Sequence, residues 1–216
     1  MKKNSISAST LMLIGAFVTS TFFLMSCENK NTPQGNVSYF LNGETKIDIK
    51  KFKESDFTVK VLIDTSTCYV FEDENKLLIW TDKPEKDSTF SQKKNFIRKG
   101  TKEISSFRKE AESKGILDND AEMQKLFDLT FGASGEPTSR GAGVLYEHYL
   151  PGGNILVIPG KFPKMPSGWD NRVSAIAAAA TTVLCDYKWF GGSKFWVAYL
   201  ANTNLYGFND RTSSVF

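Results

Sequence analysis

Two short runs of acid, amide and hydroxyl side chains recur in the C-terminal part of the chain. Residues 170–175, called here the first loop, read Asp-Asn-Arg-Val-Ser-Ala, and residues 209–214, the second loop, read Asn-Asp-Arg-Thr-Ser-Ser. Each run offers side-chain oxygens and backbone carbonyls within a few residues. Hard cations such as Ca²⁺ bind roughly six to eight oxygens of these kinds. The residue types therefore predict a calcium site at each loop.

The two loops belong to an ungapped repeat with a period of 39 residues, which spans residues 146–215. In each copy a predicted strand leads into a Gly-Gly turn, a second strand and then the loop. The strands are predicted at 144–147 and 155–158 in the first copy and at 183–186 and 195–199 in the second. Two copies of one unit built from short strands and glycine turns favour an antiparallel Greek-key sandwich.

Residues 142–216 resemble a βγ-crystallin domain of the microbial calcium-binding type, which has two Greek-key motifs. That family carries Asn/Asp-Asn/Asp-x-x-Ser/Thr-Ser once in each motif. The second loop matches at every defined position, and the first loop departs only at Ala175. The family's aromatic-x6-Gly hairpin signature is present as Tyr146 and Gly153, whereas Cys185 replaces the aromatic residue ahead of Gly192.

The resemblance implies up to two calcium ions, each held between a loop of one motif and the first hairpin of the other. The implied side-chain ligands are Asp170, Asn171 and Ser174 in the first loop and Asn209, Asp210 and Ser213 in the second. Arg172 and Arg211 would contribute backbone carbonyls, and Glu147 and Asp186 are candidates on the hairpins. Asp, Asn and Ser also form turns without a metal, so a purely structural role for both loops is the alternative.

The N-terminus has the pattern of an export signal. Lys2 and Lys3 precede a mostly apolar run from residue 11 to 25, which is shorter than the roughly 20 residues of a membrane span, so residues 1–26 are predicted to be a signal peptide. The run ends in Leu-Met-Ser-Cys, which resembles a bacterial lipobox. The resemblance implies that Cys27 is lipidated and holds the protein at a membrane of the cell envelope, with the outer membrane as the expected location. An ordinary signal peptide with a chance cysteine is the alternative.

Net charge and cysteine content bear on nucleic-acid binding and on disulfide formation. Loss of Lys2 and Lys3 lowers the formal net charge from +3 to +1, so the mature chain lacks the electrostatic basis for binding nucleic acid. Cys68 and Cys185 lie in different predicted modules, where a disulfide would be unusual even in an exported protein. They are therefore predicted to be buried free thiols that act as small apolar side chains.

The remaining residues predict a two-module organisation. Residues 27–36 are a polar tether, residues 37–131 are expected to form a small α+β module of no recognised family, and residues 132–141 form a linker rich in Gly, Pro and Ser. The all-β domain at 142–216 follows. Within the α+β module, strands are predicted at 57–64, 68–71 and 77–80. One helix is expected through residues 97–111, and a second begins after Asn119 and ends at Gly132.

These features favour a non-catalytic, membrane-anchored exported protein over an enzyme. His148 is the only histidine in the chain, so there is little material for a histidine-based metal cluster or a catalytic triad. The aromatic residues between 187 and 199 are predicted to be core, with a surface for sugars or a protein partner as the alternative. Some bacterial peptidase inhibitors look similar to the predicted fold, so a secreted peptidase inhibitor is the alternative function.

Overall fold

The computed structural model describes residues 37–64, 66–132, 143–149, 152–198, 202–205 and 208–216. The described part of the chain starts with four strands. The strands are β1 (Ser38–Leu41), β2 (Thr45–Ile47), β3 (Val59–Leu62) and β4 (Thr67–Phe71). Two 3-10 turns, Ile49–Lys51 and Glu54–Asp56, separate β2 from β3. The predicted strands at 57–64 and 68–71 are confirmed as β3 and β4, which pair in antiparallel orientation.

Residues 77–80 lie in the helix α1 (Glu74–Asp82), so the strand predicted there is wrong. The Asp73 carboxylate accepts a hydrogen bond of 2.9 Å from the backbone N–H of Lys76 and caps the first turn. Leu77 and Trp80 then face the core one turn apart. A run of four apolar residues is too short for its periodicity to distinguish a buried strand from a helix.

The two predicted helices are confirmed as α2 (Ser88–Ser113) and α3 (Asp120–Phe131). The Asn119 side chain caps α3 by accepting hydrogen bonds from the backbone N–H groups of Ala121 and Glu122. Gly132 ends this helix with a φ of 85°, a backbone conformation that glycine adopts without steric cost.

The repeat supplies the remaining strands within the described residues. They are β5 (Gly143–His148), β6 (Gly152–Ile158), β7 (Ala175–Ala178), β8 (Thr182–Tyr187), β9 (Gly191–Val197), β10 (Asn202–Asn204) and β11 (Ser214–Val215). The strands predicted in both copies are confirmed, although residue 199 lies outside the described residues. Both first hairpins carry a register irregularity at the same repeat position, near residue 147 in β5 and residue 186 in β8.

The two copies exchange strands and so form one interlocked Greek-key sandwich. One sheet has the order β10-β7-β5-β6, so that β10 of the second copy pairs with β7 of the first. In return, Phe162 of the first copy bridges Val215 of the second, with two backbone hydrogen bonds of 2.8 Å. The apolar inner faces of both sheets, including Leu145, Ile176 and Leu184, form a shared core.

The two predicted modules are not separate folding units, because one sheet runs through both. Strand β3 pairs in parallel with β9, and the order of this sheet is β11-β8-β9-β3-β4-β1-β2. All described residues fall within one compact unit that spans Gln34–Phe216. Edge pairing joins backbone groups and leaves no mark on side-chain composition, so the sequence did not reveal it. Residues 1–36, including Cys27, and residues 133–141 of the predicted linker lie outside the described residues.

The helices cover the outer face of the seven-stranded sheet. Val183, Cys185 and Trp196 of the second copy are buried in one cluster with side chains from all three helices. An ion pair of 2.5 Å joins Glu74 of α1 to the buried Lys194 of β9. Both Cys68 and Cys185 are buried free thiols, as predicted, and burial raises the pKa of each to about 12. None of the described helices is long and apolar enough to cross a bilayer.

Candidate metal centre

The two loops face each other across the interface between the two copies of the repeat. The first loop connects β6 to β7, and the second connects β10 to β11. Asn171 and Asp210, which are equivalent in the repeat, have φ values of 56° and 53°. Asn and Asp tolerate this left-handed conformation better than other non-glycine residues. Local backbone geometry thus accounts for the residue type at one position in each loop, whether or not a metal binds.

Reciprocal backbone hydrogen bonds hold the loops together. The N–H of Asn171 donates to the carbonyl of Thr212 at 3.1 Å, and the N–H of Asp210 donates to the carbonyl of Val173 at 3.0 Å. Both pairs are related by the 39-residue offset. The predicted loops therefore lie side by side in a pseudo-twofold arrangement, and their side chains form two separate groups of oxygens.

The first group of oxygens, called here the Ser174 cluster, joins the hairpin of the first copy to the second loop. The Ser174 hydroxyl lies 2.7 Å from the backbone carbonyl oxygen of Glu147 and 3.2 Å from Oδ1 of Asp210. A hydroxyl has one hydrogen to donate, so it cannot make a full hydrogen bond to both acceptors. Three oxygens thus lie together with a single proton between them, which is an arrangement that favours a cation.

The second group, called here the Ser213 cluster, is the repeat-related counterpart. The Ser213 hydroxyl lies 3.4 Å from Oδ1 of Asn171. Both residues line an open cleft of about 820 Å³, together with the acidic side chains of Asp170 and Asp186. This contact is longer than that of the Ser174 cluster, and the paired loop residue is an amide rather than a carboxylate. The Ser213 cluster is therefore the less tightly assembled of the two.

Two arginines are paired with the hairpin carboxylates beside the clusters. Arg172 forms an ion pair with Glu147, whose carboxylate also accepts a hydrogen bond of 2.7 Å from the Asn154 side chain. The Arg172 guanidinium beside Glu147 holds the pKa of that carboxyl below its usual range. At the equivalent position Arg211 donates two hydrogen bonds to Asp186, at 2.7 and 3.3 Å. The backbone of Glu147 thus takes part in a cluster, whereas its side chain is engaged elsewhere.

Asn209 provides an additional oxygen at the second loop. Its side-chain nitrogen donates to Oδ2 of Asp210 at 2.8 Å, so the two side chains are fixed against each other. Its Oδ1 is buried and has no hydrogen-bond partner among the described residues. A buried oxygen without a partner costs free energy, and coordination of a cation would remove that cost.

Adjacent serines in the second loop have different roles. The Ser214 side chain is fully buried; its hydroxyl donates to the carbonyl of Tyr187 at 2.7 Å and accepts from the N–H of Phe190 at 3.0 Å. Ser214 therefore links the end of the second loop to the first hairpin of the second copy. Ala175 occupies the equivalent position in the first copy, where the buried side chain makes no such link. The assignment of Ser213, rather than Ser214, to the oxygen group is consistent with these contacts.

Sequence reasoning missed two polar residues beside the clusters, Asn154 and Ser193. Asn154 supports Glu147, and the Ser193 hydroxyl lies 3.4 Å from the Arg211 guanidinium. The signal was available, because these two residues are separated by the repeat offset of 39 and both are polar. The described residues contain no group of three or more His, Cys, Asp or Glu side chains placed to hold a metal. A metal site among these residues therefore needs amide, hydroxyl and backbone oxygens in addition to carboxylates.

Two Greek-key motifs that exchange strands and pair their acid-amide-serine loops define a βγ-crystallin-like domain, so the expected resemblance is confirmed for the fold. No family model matches the chain, and no curated protein matches it. The chain is similar to a solved βγ-crystallin from an archaeon, with 17% identity over 36% of this chain and 96% of that one, at a TM-score of 0.33. It is also similar to a βγ-crystallin from Ciona intestinalis, with 24% identity over 35% of this chain and 96% of that one, at a TM-score of 0.33.

Proposed function

We propose that this protein is a non-catalytic, calcium-binding protein whose ions bind where the two loops cross. The observation that carries this proposal is the Ser174 cluster, in which Ser174, the Glu147 carbonyl and Asp210 approach one another from three segments of the chain. In the Ser213 cluster the equivalent serine and loop side chain, Ser213 and Asn171, also approach each other, at the longer distance of 3.4 Å. Side-chain, amide and backbone oxygens in this mixture are the donor set that Ca²⁺ prefers.

A bound ion would act as a cross-link between the two motifs. Asp210 and Asn209 belong to the second loop, whereas Ser174 and Glu147 belong to the first copy, so one cation would tie both copies together. An ion that binds only the folded state at about one hundred times its Kd stabilises that state by about 2.7 kcal/mol. The function supported best is therefore calcium-dependent rigidification of an exported domain.

The affinity is expected to be low. Each cluster contributes one or two formal negative charges, and the hairpin carboxylates are already paired with arginines. Calcium sites of extracellular modules have Kd values of roughly 10⁻⁴–10⁻³ M, and ligand charge is one of the factors that set them. Extracellular calcium at such concentrations would keep the sites partly occupied.

Calorimetry of the purified protein with Ca²⁺ and Mg²⁺ tests the proposal. We expect saturable heat with Ca²⁺, a much smaller heat with Mg²⁺, and a melting temperature that rises by roughly 5–10 °C at saturation. Asp210→Asn keeps the shape and the tolerance for positive φ but removes the charge, so it should weaken binding. Leu129→Ala, at an exposed position on α3, is the matched control. Equal heats for both ions, or no effect of Asp210→Asn, would refute the proposal.

We also propose that Cys27 is lipidated and anchors the protein to the outer membrane. The support is the Leu-Met-Ser-Cys pattern after an apolar run, since an acyl anchor holds a folded body at a bilayer surface. Expression of the whole precursor with labelled fatty acid should label the wild type, and Cys27→Ala should remove the label and release the protein from the membrane fraction. Retention of the label in Cys27→Ala would end this part of the proposal.

The peptidase-inhibitor alternative stays a prediction with a direct test. It requires sub-micromolar inhibition of a secreted peptidase or metallopeptidase by the purified protein. Inhibition that persists when calcium is removed would separate this function from the calcium role. No inhibition across a broad panel of peptidases would refute the inhibitor alternative.

A further inference from the structure

The cleft beside the Ser213 cluster carries positive charge as well as the oxygens of the proposed calcium site. Lys164 and Lys188 line this cleft of about 820 Å³, together with Asn171 and Ser213. Charges of like sign repel each other, and the repulsion is larger for a divalent ion than for a monovalent one. Two uncompensated lysines at this position would therefore oppose the binding of calcium at the Ser213 cluster.

The equivalent positions beside the Ser174 cluster hold no lysine. The repeat offset of 39 residues carries Lys188 onto Tyr149 and Lys164 onto Thr203. Neither of these counterparts is a basic residue. Of the two clusters, the lysine pair thus belongs to the second, and the two proposed calcium sites differ in their electrostatic surroundings.

Both lysines are paired with a single carboxylate that comes from the helices. Nζ of Lys188 lies 2.5 Å from Oδ1 of Asp120, and Nζ of Lys164 lies 3.2 Å from Oδ2 of the same side chain. Asp120 begins helix α3 and does not itself line the cleft. It belongs to neither copy of the repeat. The helical part of the protein therefore supplies a negative charge to the surroundings of a site that the repeat builds.

The Asp120 carboxylate is also held from a third direction. The indole N–H of Trp189 donates to its Oδ1 at 3.0 Å. The backbone of Trp189 is fixed in turn, because its carbonyl accepts from Arg108 of α2 at 3.1 Å and its N–H donates to the carbonyl of Pro163 at 2.6 Å. The hydrogen bonds from Lys188 and Trp189 hold the pKa of Asp120 well below its usual range, so this carboxyl is ionised at neutral pH.

We propose that Asp120 is a positioning residue for calcium binding at the Ser213 cluster, because it holds Lys164 and Lys188 against α3 and offsets their charge. Without this carboxylate, both ammonium groups would be free to turn toward the cleft that they line, and their repulsion would act on the ion. The role of Asp120 rests on the calcium binding proposed above. The helices would thereby influence the affinity of one calcium site and leave the other unaffected.

A titration of the purified protein with CaCl₂ that resolves the two clusters tests this role. Nuclear magnetic resonance can follow the backbone amide signals of Ser213 and Ser174 separately, which gives one affinity for each cluster. Asp120→Asn keeps the side-chain shape but removes the charge. It should weaken binding at the Ser213 cluster about threefold at low ionic strength and leave the Ser174 cluster unchanged. The difference should shrink in about 0.5 M KCl, because salt screens the lysines.

Asp128→Asn is the matched control, since it removes the same charge from an exposed position on the same helix. The Asp128 carboxylate accepts a hydrogen bond of 2.8 Å from the Gln124 side chain, and it does not line the cleft. This variant should change neither affinity. Lys188→Met should raise the affinity of the Ser213 cluster about twofold. Asp120→Asn combined with Lys188→Met should restore the wild-type affinity, because the net charge beside the cleft is then unchanged.

The outcomes separate the role of Asp120 from the calcium function itself. No calcium binding by the wild type would refute both. Calcium binding that Asp120→Asn leaves unchanged at the Ser213 cluster would overturn only the role of Asp120. An equal loss at both clusters, or no rescue by Lys188→Met, would also overturn it, because Asp120 would then act through the general stability of the fold. If Asp120→Asn fails to fold, Lys188→Met alone decides the matter, and an affinity that does not rise would contradict the proposal.

Discussion

The two copies of the repeat have the same backbone plan but different surroundings on their outer faces. In the second copy Trp196 and Phe216 are buried beneath the helices, with exposed fractions of 2% and 6%. In the first copy the equivalent residues are Val157, which is 61% exposed, and Ala177, which is half-buried. Large aromatic side chains thus occur where another layer covers the sheet, and smaller ones occur where the sheet faces solvent.

The hairpin position that holds Tyr146 in one copy and Cys185 in the other also differs with its surroundings, but the size relation is reversed. Tyr146 is half-buried on the sheet that none of the described helices covers, whereas Cys185 is fully buried against the helices. A small side chain fits where a neighbouring layer already fills the space above the hairpin. The loops, in contrast, keep nearly the same residues in both copies. The residue types on the sheet faces therefore depend on what packs against them. The residue types in the loops follow from the backbone geometry that both motifs share.

The largest expected contrast between the copies is at equivalent positions in β9 and β6. Trp196→Ala should lower the free energy of unfolding by about 3–5 kcal/mol, because it opens a large cavity beneath the helices. Val157→Ala should change it by less than about 0.5 kcal/mol, because the side chain is mostly exposed. Urea unfolding of both variants checks this contrast, and similar losses at the two positions would mean that the outer faces are not differently buried.

The adjacent serines of the second loop allow a structural role to be separated from a role in metal binding. Ser214→Ala removes the acceptor of the buried Phe190 N–H and should cost about 1–3 kcal/mol of stability in the absence of calcium. Ser213→Ala should leave the metal-free stability nearly unchanged but weaken calcium binding. Thermal unfolding with and without calcium measures both effects. The reverse order would show that the oxygen group has been assigned to the wrong serine.

The arginines provide a smaller, symmetric test. Arg211→Gln should free the Asp186 carboxylate and raise calcium affinity by about two- to fivefold, which corresponds to the usual value of a partly exposed ion pair. Arg172→Gln should act in the same way through Glu147. Calorimetric titration of each variant gives the two affinities. A loss of affinity in both would indicate that the guanidinium groups support the loops rather than compete with the ion.

The smallest effect is a pH dependence in the first copy. Because Arg172 lowers the pKa of Glu147 in the folded state, this pair stabilises the protein above about pH 4.5. As the pH falls further, the carboxyl is protonated first in the unfolded state, and the stabilisation is lost through the folded-state pKa. Carboxyl titration by nuclear magnetic resonance should show that Arg172→Gln raises the pKa of Glu147. An unchanged pKa would contradict the ion pair.

Local signals allowed most elements and the contents of the loops to be predicted. The cap at Asn119, the stop at Gly132 and the alternation in β3 depend on neighbouring residues, and each was predicted correctly. The strand predicted at residues 77–80 failed because four apolar residues fit either periodicity, and the Asp73 cap decides the outcome. The roles of Asn154 and Ser193 were missed, although the repeat offset marks both positions as polar.

Residue spacing alone shows that the C-terminal part contains two copies of one strand-and-loop unit, because equal spacing of turn residues and oxygen-bearing side chains imposes equal local geometry. The pairing of β3 with β9, the helices that cover the second copy, and the contact of Ser174 with Asp210 rather than with its own loop depend instead on how the chain packs in three dimensions. These arrangements arise from backbone edges and surfaces that approach each other after long stretches of chain. No local pattern of residues records such contacts.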